Sequence, residues 1–243
     1  MRWSGLSVVV ASACAFEPSG QAADGGLRDA GADAPAPAGG CLVVAAGTPV
    51  AGGLIGGPGG TTRAALACPA GELPVALAFD RTDNQIANHG DVQLVAGVRV
   101  RCGTLTLDGG DVTVVPADEL VVRGDGPNCG PYQPVTTTAE VACPAGSVLI
   151  GFAVNRPDDS LFNQVVLQCQ GLGPTGLLAG ATLLVPVAGT GTGSREAQAA
   201  TCPQGTSVVA LTPQAGCGID ALSLTCAALS CAPPQAHGAG NDY

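Results

Sequence analysis

One phrase is written three times in this chain: Cys-Pro-x-Gly, an alternating apolar run, a polar stretch, a second apolar run and a closing cysteine. The copies run from Cys68 to Cys102, Cys143 to Cys169 and Cys202 to Cys226. Self-similarity on this scale means one supersecondary unit used three times, which constrains architecture more than any single residue does. After the opening cysteines stand Val75 and Leu77, then Ile150 and Phe152, then Val209 and Leu211, at matching offsets and two apart. That spacing predicts one buried strand face. Val98 and Val100, Val165 and Leu167, and Leu222 and Leu224 repeat it before the closing cysteines. Val95, Phe162 and Ile219 each lie three residues ahead of these pairs, and the odd spacing predicts a bulge or a change of face.

The rest of the chain reads as strand too. Cys41–Val44, Thr104–Leu107, Asp111–Val115, Glu119–Val122 and Thr182–Val185 are short β-rich runs punctuated by Gly, Pro and Asp. No stretch sustains a capped 3.6-residue apolar period, so no helix is expected in the folded part. The expected fold class is therefore all-β, a single domain spanning 41–234 with repeats at about 60–102, 133–169 and 194–226. Aromatics are only 3% of the chain, so Val, Leu, Ile and Ala must fill the core, with Phe79, Phe152 and Phe162 as its aromatic members.

The N-terminus reads as an export signal. Met1 and Arg2 are cationic, Leu6 to Ala13 is a short apolar run, and Ala11-Ser12-Ala13-Cys14 follows. The run falls well short of the roughly 20 residues that span a bilayer. The layout resembles a bacterial lipoprotein signal, 1–13, which implies lipidation at Cys14; secretion without a lipid is the alternative. Residues 14–40 are Ala, Gly, Pro and Asp with little to bury, which predicts a disordered tether holding the domain on the order of 28 Å from its anchor. A flexible tail is expected over 235–243.

Eleven cysteines support export, because lipidating Cys14 leaves ten to form five disulfides in an oxidising compartment. If each opening cysteine meets its closing partner, Cys68 pairs with Cys102, Cys143 with Cys169 and Cys202 with Cys226. Cys41, Cys129, Cys217 and Cys231 then permit three pairings, of which Cys41 with Cys231 staples the ends together and leaves Cys129 with Cys217. A thiolate metal site competes for these residues, but only Cys226 and Cys231 are closely spaced and no partner pair accompanies them.

The second copy, Cys143-Pro144-Ala145-Gly146, Gly151-Phe152, and Asp158-Asp159-Ser160-Leu161-Phe162-Asn163-Gln164-Val165-Val166-Leu167-Gln168-Cys169, resembles a repeat of the vitelline membrane outer layer protein I family. Asp91 to Cys102 keeps the frame in the first copy, and Ile219 to Cys226 keeps part of it in the third. The resemblance implies a β-prism I: three four-stranded Greek-key sheets around a pseudo-threefold axis, disulfide-stapled. Jacalin-like lectins share that architecture, so it also implies glycan binding by fold-level analogy. Family repeats are rich in Trp, whereas the only Trp here is Trp3.

Charge and chemistry narrow the function. A net charge of -10, with nine Arg and no Lys, argues against nucleic acid and against anionic membrane surfaces, and the lack of Lys removes Schiff-base chemistry. Candidate ligand contacts are the polar loops bracketed by the repeat strands: Asp80, Asp83, Asn84 and Asp91 in the first, and Asn155, Arg156, Asp158, Asp159 and Asn163 in the second. Such oxygen-rich loops suit sugar hydroxyls, calcium or plain solvation, although no calcium-loop spacing is present. Adjacent Asp158 and Asp159 on a strand would point to opposite faces, which does not suit glycoside hydrolysis. Gly52-Gly53 and Gly56-Gly57-Pro58-Gly59-Gly60 lack the Lys and the strand-to-helix context of a phosphate loop and read as turns. Asp108, Asp111 and the Asp118-Glu119 pair read as ordinary turn residues. His89 and His237 are the only imidazoles and neither has a nucleophile beside it. The sequence therefore reads as a non-enzymatic envelope lipoprotein displaying an interaction or structural domain, without metal or nucleic acid. A glycan-binding module, with or without calcium, is the alternative.

Overall fold

A computed structural model describes residues 40–57, 59–82, 85–86, 90–91, 94–108, 110–124, 135–156, 164–173, 178–188 and 196–232. All described regular structure is β, in chain order β1 (Cys41–Gly56), β2 (Thr61–Thr62), β3 (Leu66–Ala67), β4 (Leu73–Thr82), β5 (Gln85–Ile86), β6 (Gly90–Asp91), β7 (Leu94–Asp108) and β8 (Asp111–Arg123). The second half holds β9 (Val135–Thr137), β10 (Val141–Ala142), β11 (Ser147–Arg156), β12 (Gln164–Leu172), β13 (Leu178–Ala188), β14 (Glu196–Thr201), β15 (Thr206–Ala215) and β16 (Ile219–Ala232).

Each repeat supplies an antiparallel hairpin, and the three hairpins share one register. Leu77 faces Val100, Phe152 faces Leu167 and Leu211 faces Leu224; two residues on, Phe79 faces Val98, Val154 faces Val165 and Pro213 faces Leu222. Around each hairpin the strand order repeats. The second sheet runs β13-β12-β11-β14. The first runs β8-β7-β4, completed by the interrupted pair β9 and β10. The third runs β1-β16-β15, completed by β2 and β3. Every order is that of a Greek key, with the fourth strand returning beside the first. Three such sheets around one core make a β-prism I.

The sequence repeat and the sheet are different units. Each fourth strand leads directly into the next Cys-Pro turn, so a repeat begins on one sheet and ends on its neighbour. The disulfides consequently bridge sheets: Cys68, after β3 of the third sheet, bonds Cys102 on the first. Cys143, after β10 of the first, bonds Cys169 on the second. Cys202, after β14 of the second, bonds Cys226 on the third and closes the ring. Their Cα separations of 5.6 to 5.7 Å lie in the usual disulfide range. The third sheet takes its outer strands from the start of the chain, and Cys41 bonds Cys231 where those ends meet.

Leu77, Phe79, Val98, Phe152, Val165, Leu167, Leu211 and Leu222 from the three sheets meet on the axis, each at most 1% exposed. Full burial of such a side chain contributes about 1.5–3 kcal/mol. Phe162 lies outside the described residues. Buried Ser207 donates to the carbonyl of Leu149 at 2.9 Å, tying the third sheet to the second through a satisfied polar contact.

One expectation needs correction. Val75 and Val209 do not share the core face of Leu77 and Leu211; each is the unpaired residue of a β-bulge, as is Ile150. The inserted residue shifts the side-chain alternation, and Val75 and Val209 pack instead on a second cluster of Val43, Leu73, Leu105, Val148 and Leu229. The bulge expected near Val95 and Ile219 is present: Ala96 and Asp220 stand unpaired at equivalent positions of the first and third sheets.

Candidate functional site

β16 starts at the hairpin end of the prism and finishes beside Cys41, so its two ends define two poles. Asp220 lies at the first pole, eleven residues before Cys231. At about 3.3 Å per residue this places it roughly 35 Å along the strand from the Cys41–Cys231 bond. The bulge at Asp220 re-aims its side chain, which would otherwise continue the alternation of β16. Asp220 is 8% exposed. Its carboxylate accepts from the Gly216 N–H at 2.8 Å, and its carbonyl accepts from the Gly57 N–H at 3.0 Å. Burial pushes the Asp220 carboxyl up from the ordinary carboxylate range, and the Gly216 hydrogen bond only partly offsets that.

Of the glycines expected to form turns, Gly52, Gly53 and Gly56 lie within β1, and Gly57, Gly59 and Gly60 form the loop after it, around this carboxylate. A side chain on Gly59 would sit 2.5 Å from Asp220 Oδ1, and one on Gly60 would sit 2.6 Å from Oδ2 and 2.4 Å from the Ala215 backbone. Gly60 also has φ +61°, in the left-handed region that suits glycine. Gln198 of the second sheet accepts from the Gly56 N–H at 2.9 Å and fixes the start of the loop. The Gly216–Gly218 bend carries Cys217, which is disulfide-bonded. Its expected partner, Cys129, lies outside the described residues. The outcome is a nearly buried carboxylate packed against side-chain-free backbone at a sheet end, with Gly216 donating to one of its oxygens.

Asp80 plays a different part. It is fully buried, and its oxygens accept from Arg99 Nε at 2.7 Å, Arg123 Nε at 2.6 Å and Thr137 Oγ1 at 2.8 Å, with a second Arg99 contact at 3.2 Å. Burial alone would raise its carboxyl, but the hydrogen bonds from Arg99, Thr137 and Arg123 outweigh that and hold it below the ordinary range. Arg99 also reaches Glu119 at 2.9 Å. Asp118 and Glu119 are thus strand residues of β8 and not turn residues. These groups come from β4, β7, β8 and β9, so the network ties the four strands of the first sheet and leaves Asp80 no capacity for a ligand.

Other expected contacts fall differently. Asp83, Asn84, Asp158, Asp159 and Asn163 lie outside the described residues. Asp91 pairs by its backbone with Gln85, Asn155 with Gln164 and Ala197, and Arg156 with Glu196. Asp220 lies outside the polar loops that the sequence offers as candidates, yet it stands six residues before its closing cysteine, as Asn163 does. Among the described residues no three His, Cys, Asp or Glu group as metal ligands.

A concavity of about 200 Å³ lies nearer the Cys41 pole, lined by Val75, Leu105, Val114, Pro116 and Val148 with Arg101 and Glu140. It is mainly apolar and brings together none of the loop candidates.

No protein-family model matches the chain, and no curated protein matches it in sequence. Among solved structures it is similar to several lectins. The chain is similar to Calystegia sepium agglutinin at 13% identity and TM-score 0.45, over 74% of this chain and 97% of that one. It is similar to wild-type Malaysian banana lectin at 13% identity and TM-score 0.41, over 74% and 96% of the two chains. A mannose-specific jacalin-related lectin from Morus nigra, in complex with mannose, matches at 12% identity and TM-score 0.40, over 75% and 96%. The fold assignment rests on the strand orders and the shared hairpin register.

Proposed function

We propose that this chain is a non-enzymatic recognition module that binds a neutral polyhydroxylated ligand, a glycan, at the Asp220 pole of its prism. The observation that carries the reading is a buried carboxylate, aimed by a bulge into a glycine loop and held with a raised pKa. Such a charge costs stability where it stands, and a stability cost kept beside a glycine loop is what a binding group carries. A neutral ligand fits because hydroxyls donate to the carboxylate without a second buried charge. The sequence adds a lipid at Cys14 and the tether over 14–40, which displays the domain on a bacterial envelope.

A glycan array probed with the oxidised protein tests the ligand. Binding that Asp220→Asn abolishes, with the fold intact, supports the reading. Binding that survives Asp220→Asn but fails when Asp158 and Asp159 become Ala moves the site to the second hairpin. A silent array leaves display of a structural or protein-binding domain. Cys14→Ser tests the anchor: release from the membrane fraction supports it, and retention overturns it.

A further inference from the structure

The three hairpins differ at their tips. Residues 83–93 lie between β4 and β7, and 157–163 between β11 and β12, whereas only Gly216, Cys217 and Gly218 separate β15 from β16. A bend with glycine on both sides of its one side chain has wide backbone freedom, so its own sequence does not hold it in one shape. Two contacts from outside the hairpin do. Cys217 is disulfide-bonded. Gly124, the residue after β8 of the first sheet, lies so close that a side chain on it would stand 2.6 Å from the carbonyl carbon and oxygen of Cys217 and 2.8 Å from the Gly218 nitrogen. Gly124 is fixed in turn by its N–H, which donates to the carbonyl of the bulge residue Ala96 at 2.8 Å, as Gly57 donates to that of Asp220. Toward the site the bend presents the Gly216 N–H, which donates to Asp220 Oδ2 at 2.8 Å and to the Gly218 carbonyl at 3.1 Å. The bend thus stands between the end of the first sheet and the Asp220 carboxylate.

We propose, resting on the Asp220 reading of the site, that Cys217 is a positioning residue for it: its disulfide, with Gly124 behind the bend, keeps the Gly216 N–H on Asp220. Cys217 lies outside the β15–β16 ladder, whose last pairs are Gln214 with Ala221 and Ala215 with Ile219, so losing its bond leaves the strand pairing in place and acts on the bend. Cys129, the partner expected from the sequence, follows Gly124 by five residues, which suits a bond that ties the bend to the first sheet. A bend freed of that bond must be ordered by the ligand as it binds, at a cost in affinity.

Non-reducing peptide mapping of the oxidised wild-type chain should join Cys217 to Cys129. Amide exchange resolved by NMR, on full chains carrying Cys14→Ser so that no lipid is present, then tests the positioning without any ligand. Gly216 protection should fall roughly tenfold or more in Cys129→Ser with Cys217→Ser, and should keep its wild-type value in Cys143→Ser with Cys169→Ser, which also lacks one cross-link but leaves the bend tied. A glycan found on the array should bind the first variant roughly tenfold or more weakly and the second as it binds the wild type. A silent array removes the glycan reading, and the exchange comparison still decides whether Cys217 positions Asp220. A map joining Cys217 to Cys14, unchanged Gly216 protection in the first variant, or an equal fall in both overturns the proposal.

Discussion

Asp80 and Asp220 are buried carboxylates shifted in opposite directions. Asp80 has a depressed pKa, so its ion pairs contribute stability in full above the ordinary carboxylate value of about 3.9, and this is lost as pH falls through its folded value. Asp220 has a raised pKa, so its ionised form costs stability above the folded value, and that cost disappears as pH falls below about 3.9. Asp80→Asn should therefore destabilise the protein by about 3–5 kcal/mol at neutral pH, because Arg99 and Arg123 lose their shared carboxylate. Asp220→Asn keeps an acceptor for the Gly216 N–H and should leave the melting temperature unchanged or higher at neutral pH, with the difference from wild type closing toward about pH 4. Thermal melts across pH measure both. A large loss of stability from Asp220→Asn at neutral pH would make that residue a structural cap and remove the basis for a site there.

At the scale of elements, hairpin register was legible because apolar residues two apart recur at fixed distances from cysteines. The bulges were half legible. Odd spacing before Val98 and Leu222 exposed those at Ala96 and Asp220, but Val75, Ile150 and Val209 stand two residues before Leu77, Phe152 and Leu211, an even spacing that reads as one face although the inserted residue shifts the alternation there. The site was obscured for a related reason. Its glycines come from the loop after β1 and its aspartate from the start of β16, more than 150 positions apart, and only the permuted third sheet brings them together. Asp80 looked like a ligand contact because a polar residue near a loop reads as exposed, and nothing local announces Arg99, Arg123 and Thr137 converging on it. Glycine substitutions test the cradle. Gly60→Ala meets both a left-handed backbone and the Ala215 and Asp220 atoms, and should cost about 1–3 kcal/mol along with ligand binding. Gly71→Ala at φ +87° meets nothing within 4 Å and should cost only the backbone term, about 1–2 kcal/mol, with binding retained. Equal losses of binding in the two variants would detach recognition from the glycine loop.

For the whole molecule, the disulfides divide into two kinds. Three join neighbouring sheets into a ring and close 24 to 34 residues each. The Cys41–Cys231 bond instead closes 190 residues within the third sheet, where an N-terminal strand completes a C-terminal hairpin. Loop-closure entropy favours the longer loop, at about 5 kcal/mol against about 3–4 kcal/mol for each of the others. Position adds to the difference. Without that bond β1 is held by its ladders to β16 and β7, the Gly56–Gln198 hydrogen bond and the burial of Val43 and Ile55, and its departure would take the glycine loop that follows it away from Asp220. Cys41→Ser with Cys231→Ser should thus lower denaturant stability more than Cys143→Ser with Cys169→Ser, and should weaken ligand binding even under conditions where the fold persists. Urea unfolding of the two double variants, with binding measured well below each transition, decides between this and uniform stapling. Equal losses of stability with binding intact would mean that the prism does not depend on closing its permuted sheet, and that the Asp220 pole is organised locally by its own turn.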